Sequence, residues 1–352
     1  MAPYRKEVYC EFEFLKKFRN SNGHFSDFSS REASRRWSDI AEFISKSHLL
    51  LNVDIQTFDK ALKGRGENDT LRRLWKQTTD GVCKISFLET DHKDEYFQSL
   101  IVRPEGLNKV YLLTKEKSNA IYEDFAKKHG VIILTPSCWQ SNEQAQKHAY
   151  IFKDCGSVVK KDEEFEWRGI LRSEYKLSNC NAMVLIDNYI HKNTANNLLP
   201  IIDALSPKIL RNIAFHMTVL TERQGGVDYA KIYNQIVTKI KALRPQLNCV
   251  VELYVRNGKG DFHDRTILTN NVKIDSGAGF SLRKADGKSE NSTKIEIWHP
   301  FLQSCSDTCD QSYIHILADA KKFIKQIEKG CGYGERFPKG GTCQNRLIIP
   351  NY

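Results

Sequence analysis

The sequence lacks any hydrophobic run long enough to cross a membrane, since no window approaches the ~20 apolar residues that a span requires. Its first residues, Met-Ala-Pro-Tyr-Arg-Lys-Glu, contain no apolar core like that of a secretory signal. Low-complexity runs and the short repeats of a solenoid are also absent. We therefore expect an intracellular, cytoplasmic protein that folds throughout and has no membrane partner.

A dense disulfide framework is missing as well. The ten cysteines are scattered over 352 residues, whereas small secreted domains concentrate theirs. Four of them stand toward one end, and their spacing fits no standard zinc pattern: Cys305, Cys309, Cys331 and Cys343. We expect mostly reduced, structural thiols.

Acidic residues are outnumbered by basic ones. The chain has 53 Lys and Arg against 43 Asp and Glu, a net charge of +10. Such a surplus favours polyanionic partners such as nucleic acid, although an inert basic surface gives the same number. The length suits two domains, each able to bury its own core.

Strand and helix patterns alternate in two separate parts of the chain. In residues 1–150, apolar runs near 109–114 and 130–136 flank a helical pattern, which predicts a small α/β domain with a parallel sheet. Residues 151–178 are highly charged and without a clean period, so we interpret them as a connection. Alternation resumes at Ala182, which predicts a second α/β domain over residues 179–352.

A motif suited to phosphate begins in the segment Asp261-Phe-His-Asp-Arg-Thr-Ile-Leu-Thr-Asn270. His263 is followed two residues later by the cation Arg265 and then by the amide of Asn270. Seven residues further begins a turn of small residues, Gly277-Ala-Gly-Phe-Ser281. Phosphoryl transfer needs a nucleophile or base and cations for the non-bridging oxygens. The segment therefore indicates a site that holds a phosphate.

The spacing resembles the signature of the phospholipase D superfamily. In that family a lysine stands at the position of Arg265, an acid at Asn270 and a serine at Ala278. The resemblance extends over roughly residues 180–330 through the strand order and the segment Ile186-Asp-Asn-Tyr189. It implies a phospholipase D-like fold for residues 179–352.

The resemblance also implies a cofactor-free phosphodiesterase in which His263 attacks phosphorus. Members with one motif per chain complete their site as homodimers, so a homodimer joined near His263 is implied. The implied catalytic residues are His263, Arg265, Asn270 and Asp187. The implied phosphate-binding residues are His263, Arg265, Gly277 and Ser281.

Arg265 and Asn270 replace the lysine and the acid of the family signature, and the two replacements have different chemical consequences. Arg265 can hold two phosphate oxygens at once and stays charged, so phosphate binding tolerates the replacement of lysine. Asn270 cannot supply the negative charge that stabilises a histidinium. Asp187, Asp261 and Asp264 are candidates for that charge.

Acidic residues of the first part suggest a different site. Glu11, Asp54 and Glu116 lie in or after predicted strands, and two-metal nucleases gather carboxylates at the carboxyl ends of parallel strands. The segment 110–136 resembles the last strands of ribonucleases of the PilT N-terminal (PIN) type. That family usually has aspartate where this chain has Glu11 or Glu13 and Glu116. This resemblance implies Mg²⁺ or Mn²⁺ bound by Glu11, Asp54 and Glu116.

Three hypotheses for function follow, and where the partner is nucleic acid it is either DNA or RNA. The first is a nuclease or nucleic-acid-binding effector with a phosphate site at His263 and Arg265; this pairing of domains resembles bacterial stress or phage-defence effectors. The second is a metal-dependent PIN-like ribonuclease in residues 1–150. The third is a non-enzymatic adaptor whose degraded motif binds nucleic acid, a nucleotide or a protein.

Overall fold

A computed structural model describes most of the chain. The described residues are 7–16, 44, 47–64, 70–80, 84–87, 110–114, 119–139, 155–171, 180–207, 210, 213–258, 265–298, 313–330 and 332–349. His263 and Glu116 lie outside them. None of the described helices combines the length and the apolar character needed to cross a membrane.

The first sheet is entirely parallel, with strand order β3-β2-β1-β4-β5. Its strands are β1 Glu7–Cys10, β2 His48–Leu51, β3 Lys84–Phe87, β4 Val110–Leu112 and β5 Ile132–Leu134. The central strands are apolar along their length because both faces of a parallel sheet are covered. The covering helices are α1 Ile55–Leu62 and α2 Thr70–Thr79 on one face and α3 Asn119–His129 on the other. A parallel α/β sheet in the first part is thus confirmed.

The second sheet is mixed and has eight strands in the order β13-β9-β8-β7-β10-β11-β12-β6. Its strands are β6 Cys155–Val159, β7 Ala182–Ile186, β8 Phe215–Glu222, β9 Cys249–Arg256, β10 Thr266–Thr269, β11 Lys273–Ser276, β12 Thr293–Trp298 and β13 Gly334–Phe337. Strands β7, β8 and β9 are parallel, and the remaining pairs are antiparallel.

Both faces of the second sheet are also covered. Helices α4 Trp167–Leu171, α5 Leu198–Leu205 and α6 Tyr229–Leu243 share a core with one face. Helix α7 Tyr313–Glu328 and the segment 343–348 cover the other face. A short 3-10 helix, Pro136–Trp139, follows the first sheet.

The segment 151–178 differs from the connection that its charge pattern suggested. Its described part supplies β6, an edge strand paired with β12, and α4, whose Trp167 is buried. The Trp167 Nε1–H donates to Asn197 Oδ1 at 3.1 Å. The charge of this segment lies in the mostly exposed stretch 160–166, which joins β6 to α4, so it dominates the sequence pattern although both elements belong to the second sheet and its core.

Replacing Trp167 by alanine should lower the free energy of unfolding by about 3–5 kcal/mol, because a large buried ring and its hydrogen bond are lost. Urea denaturation measures this. Val158→Thr on β6 is the matched control, since Val158 is 70% exposed and its replacement should change stability by less than about 0.5 kcal/mol. An unfolding free energy of Trp167→Ala equal to that of the wild type would contradict the assignment of 155–171 to the second core.

Candidate functional site

The hairpin β10–β11 brings together two parts of the motif that are separated in the sequence. Thr266 pairs with Asp275 at its open end, so the residues that flank the hairpin meet there. Arg265 Nη1 donates to the Gly277 carbonyl oxygen at 3.2 Å, and the Ser276 N–H donates to the Arg265 carbonyl oxygen at 3.1 Å. The twelve-residue separation of Arg265 and Gly277 is the length of one short hairpin.

Asp187 fixes the position of the turn that follows β11. It stands directly after β7, is 1% exposed, and each of its carboxylate oxygens accepts a backbone N–H. Oδ1 accepts from Tyr189 at 2.8 Å and Oδ2 accepts from Phe280 at 2.7 Å. Burial raises the pKa of Asp187, while those two N–H groups and the charge of Arg265 act in the opposite direction.

Gly279 lets the turn approach the other two residues closely. Its φ is +87°, and a Cβ built there would lie 2.9 Å from Arg265 Cδ and 3.3 Å from Asp187 Oδ2. A side chain at this position would therefore be strained and would displace Arg265. Because Gly279 has no Cβ, Arg265 and the buried carboxylate of Asp187 both lie against the turn.

Tyr189 provides an aromatic surface for two cations. The Arg265 guanidinium lies 5.2 Å from the centre of its ring, and Lys192 Nζ lies 4.7 Å from it. Both are within the range of a cation–π interaction. In the described part of the chain, the Gly277 carbonyl is the one hydrogen-bond acceptor of the Arg265 side chain, so most of its five N–H groups remain for a ligand.

Gly277 and Ser281 hold the turn together. The Gly277 N–H donates to the Lys294 carbonyl oxygen at 3.4 Å, and Ser281 Oγ donates to the Tyr189 carbonyl oxygen at 2.6 Å. The N–H of Ala278 is likewise taken, by Thr293 Oγ1 at 3.0 Å. Their contacts support the position of Arg265, and a direct bond from Gly277 or Ser281 to phosphate stays a prediction.

Asn270 lies at the opposite end of β10 from Arg265. Its Oδ1 accepts the backbone N–H groups of Asn181 and Ala182 at 2.8 and 3.0 Å, and its Nδ2 donates to Asn181 Oδ1 at 3.0 Å. The four residues of β10 lie between Arg265 and Asn270, which places these two residues about 17 Å apart. These bonds give Asn270 a structural role, joining the hairpin turn to the start of β7, and none of them reaches Arg265.

Two of the three acidic residues predicted as metal ligands, Glu11 and Asp54, accept hydrogen bonds from the protein. Glu11 follows β1, and its Oε2 accepts the Thr114 N–H at 2.6 Å and also the Thr114 hydroxyl. Asp54 is the N-cap of α1, and its hydrogen bonds from Thr57 hold its pKa below the usual value. Within the described ranges, no three His, Cys, Asp or Glu residues are grouped closely enough to hold a metal ion. The set that included Glu116 stays a prediction.

Comparisons with known proteins add little. No family model matches the chain, and no curated protein is significantly similar to it. One solved structure, the Argonaute MID-PIWI domains of N. crassa QDE-2, aligns over 93% of this chain and 90% of that chain with 10% sequence identity and a TM-score of 0.18. A similarity this low carries no argument.

Tyr189, Lys192 and Gly279 belong to the site but were not singled out from the sequence. The available signal was their position, because Tyr189 stands two residues after the acid that ends β7 and Gly279 lies inside the turn of small residues. Neither position reveals its partner, since Tyr189 and Arg265 are far apart in the chain.

The burial of Asp187 predicts a pH-dependent contribution to stability. Because its folded pKa is raised above 3.8, the folded protein binds more protons than the unfolded one just above that pH, and stability from this group falls as pH rises through the folded pKa. Asp187→Asn keeps one acceptor and removes the titration. The unfolding free energy of the wild type relative to Asp187→Asn should therefore decrease between about pH 4 and pH 7. Urea denaturation over that range tests this, and a constant difference would contradict it.

Proposed function

We propose that the end of the second sheet at Arg265 binds the phosphodiester backbone of a nucleic acid. The observation that carries the proposal is the placement of Arg265, which is held by the Gly277 carbonyl at 3.2 Å and stacked over Tyr189 with most of its N–H groups left for a ligand. A guanidinium held in this way suits two phosphate oxygens. The resemblance to the phospholipase D superfamily supports the same assignment.

Further cations favour a polymer over a single phosphate. Arg256 ends β9, and the Arg223 N–H after β8 donates to the Arg256 carbonyl oxygen at 2.8 Å. Both stand at the carboxyl edge, to which Asp187 and Arg265 also belong. Strands β9, β8, β7 and β10 are neighbours, so Arg256 and Arg265 are about 14 Å apart across the edge. Arg223 is paired with Glu335 at 3.0 Å, so Arg256 and Arg265 are the two described cations of this edge that a backbone would reach, and the net charge of +10 favours the same class of partner.

The aromatic ring of Tyr189 favours a single strand. Bases of single-stranded nucleic acid stack on aromatic side chains while a positively charged groove follows the backbone. Tyr189 lies beside both Arg265 and Lys192, so a base and its phosphate would be held together. Single-stranded DNA or RNA is therefore the partner we propose.

Cleavage at this site would depend on His263, two residues before Arg265. In the mechanism that the family resemblance implies, an imidazole nitrogen attacks phosphorus and the bond to the leaving oxygen breaks, with a proton supplied by His263 of a second copy. Water then attacks the phosphohistidine, which frees the imidazole and leaves a phosphomonoester. Arg265 stabilises the charge on the non-bridging oxygens in both steps.

Substitutions at Arg265 and Gly279 test binding. Arg265→Ala should weaken the affinity for a labelled single-stranded oligonucleotide by about tenfold or more, because a charge-assisted bond to phosphate is lost. Gly279→Ala should do the same by displacing Arg265. Gly287→Ala is the matched control, since Gly287 has the same φ of +87° but its Cβ would meet Arg283.

Fluorescence anisotropy at one fixed salt concentration gives the affinities, because backbone binding depends steeply on salt. Wild-type affinity in both Arg265→Ala and Gly279→Ala would show that nucleic acid binds elsewhere. Equal losses in Gly279→Ala and Gly287→Ala would point to a general effect of strain in the turns.

Substitution of His263 tests cleavage. If the chain cuts nucleic acid by the proposed route, His263→Asn abolishes cutting and retains binding, while EDTA has no effect because no metal takes part. Gel electrophoresis of labelled single-stranded DNA and RNA, with and without EDTA, separates these outcomes. Cutting that survives His263→Asn would refute the catalytic form of the proposal, whereas binding without any cutting supports the adaptor hypothesis.

One observation supports a second candidate, a metal-dependent nuclease in the first sheet. Glu11 lies at the carboxyl edge between β1 and β4, where the strand order reverses, and such points are common ligand sites in open α/β sheets. Thr114 donates to Oε2 of Glu11, so Oε1 is the oxygen through which a metal would bind. Cutting that stops in EDTA and in Glu11→Gln, but continues in His263→Asn, would favour this candidate with Mg²⁺ or Mn²⁺. The role in bacterial stress or phage defence stays a hypothesis from resemblance.

A further inference from the structure

Among the described residues, three buried polar atoms near the amino ends of β7 and β8 have no hydrogen-bond partner: His216 Nδ1, Arg346 Nη1 and Asn271 Oδ1. His216 is 8% exposed and Asn271 is 4% exposed. A buried polar group without a partner is unfavourable, and a charged one more so. Three such atoms in one region indicate that a ligand belongs there.

The hydrogen bonds of Asn181 bring these residues together. The Asn181 carbonyl oxygen accepts the backbone N–H of His216 at 2.9 Å. Its backbone N–H donates at 2.8 Å to the side chain of Asn270, which immediately precedes Asn271. The Asn181 Nδ2 donates at 2.8 Å to the carbonyl oxygen of Lys128, the neighbour of His129 at the end of α3. The region therefore combines the first sheet, through α3, with the second sheet.

Arg346 reaches the same region from the C-terminal segment. The preceding Asn345 donates to Thr218 Oγ1 at 3.0 Å and to a backbone carbonyl of β7 at 2.8 Å, which holds the segment across these two strands. Burial is the main cause that lowers the pKa of His129, to about 4, and that of His216. The positive charge of Arg346 lowers both further, so it acts on both imidazoles.

No described carboxylate neutralises this cluster. Burial alone lowers the pKa of Arg346, without an acidic partner to raise it. Glu252 acts on His216, but Glu252 Oε1 already accepts from Arg336 Nη2 at 2.8 Å and from the Gln344 N–H at 3.1 Å. The cluster is thus a partly buried positive region with free hydrogen-bonding atoms.

We propose that His216, Arg346 and Asn271 bind the phosphate group of a small phosphorylated molecule, with His129 at the edge of the site. The guanidinium N–H groups of Arg346 donate to phosphate oxygens. The other ring nitrogen of His216 is bonded to the backbone of Gln344, so His216 Nδ1 donates once the negative charge of the bound phosphate has favoured the protonated imidazole. Asn271 accepts from the remaining hydroxyl of a singly protonated phosphate, or donates if its amide is turned over. A carboxylate has no proton to offer to Asn271 Oδ1, so phosphate fits better than acetate.

This site is separate from the one at Arg265. It lies at the amino end of β7, whereas Asp187 and Arg265 lie at the carboxyl end, about 17 Å away. A ligand bound between α3 and the second sheet contacts both sheets and would stabilise their association. It offers a place where a small molecule acts on the chain without competing for the nucleic-acid site.

Calorimetric titration with inorganic phosphate tests the proposal in the full chain carrying Arg265→Ala, which removes the other phosphate site. We expect one binding site in this protein and no comparable binding of acetate. Adding Arg346→Met should weaken the affinity for phosphate at least about tenfold. Adding Lys339→Met, an exposed cation of the same segment, should leave it unchanged.

Two outcomes would overturn the proposal. One is the absence of phosphate binding by the Arg265→Ala protein at millimolar concentrations, and the other is an undiminished affinity after Arg346→Met. If Arg346→Met does not fold, His216→Phe replaces it with the same expectation. In addition, phosphate should raise the midpoint of thermal unfolding of the Arg265→Ala protein above its value in chloride of equal ionic strength, and an unchanged midpoint counts against the site. None of these results depends on binding of nucleic acid.

Discussion

The buried carboxylate of Asp187 is the constraint on which the second sheet's carboxyl edge depends. An ionised group at 1% exposure is tolerated only when hydrogen bonds and nearby positive charge replace its hydration. Two backbone N–H groups and the charge of Arg265 offset part of this cost, and burial still raises the pKa of Asp187. The turn after β11 must therefore approach β7, and Gly279 must lack a side chain. The placement of Arg265 follows from the way this one acid is satisfied.

Spacing made part of this site predictable from the sequence. A cation and a small-residue turn twelve positions apart enclose two four-residue strands and their turn, and a hairpin of that length has one way to bring its ends together. The same reasoning could not assign Asn270, because a position at the far end of a strand has the same spacing whether it reacts or merely joins two strands. Its role became clear only from Asn181, 89 residues away in the chain.

The alternation of strands and helices was predictable for a different reason. Strands covered on both faces are apolar throughout, which the runs in β4 and β7 show. Edge elements follow no such rule. Strand β6 pairs on one side only, Val158 on it is 70% exposed, and the highly charged stretch 160–166 follows it directly, so this part of the sequence resembled a charged connection. The sequence thus revealed the centre of each sheet better than its edges.

The two ends of β7 are built on opposite principles, and this difference bears on function. At the amino end, neutral amides of Asn181 and Asn270 satisfy backbone groups and each other, so that end adds no charge of its own to the histidines and to Arg346. At the carboxyl end, a buried negative charge draws Arg265 into place and offsets part of its charge. Arg265 is thus partly neutralised, which favours reversible contact with a backbone, whereas no described acid lies against Arg346, which suits a compact dianion. In the first sheet, Glu11 accepts two hydrogen bonds from Thr114 on one oxygen, so a metal there would have to bind through the other. The positive charge that phosphate chemistry requires is therefore already supplied by side chains in the second sheet, whereas the first sheet would need an added ion.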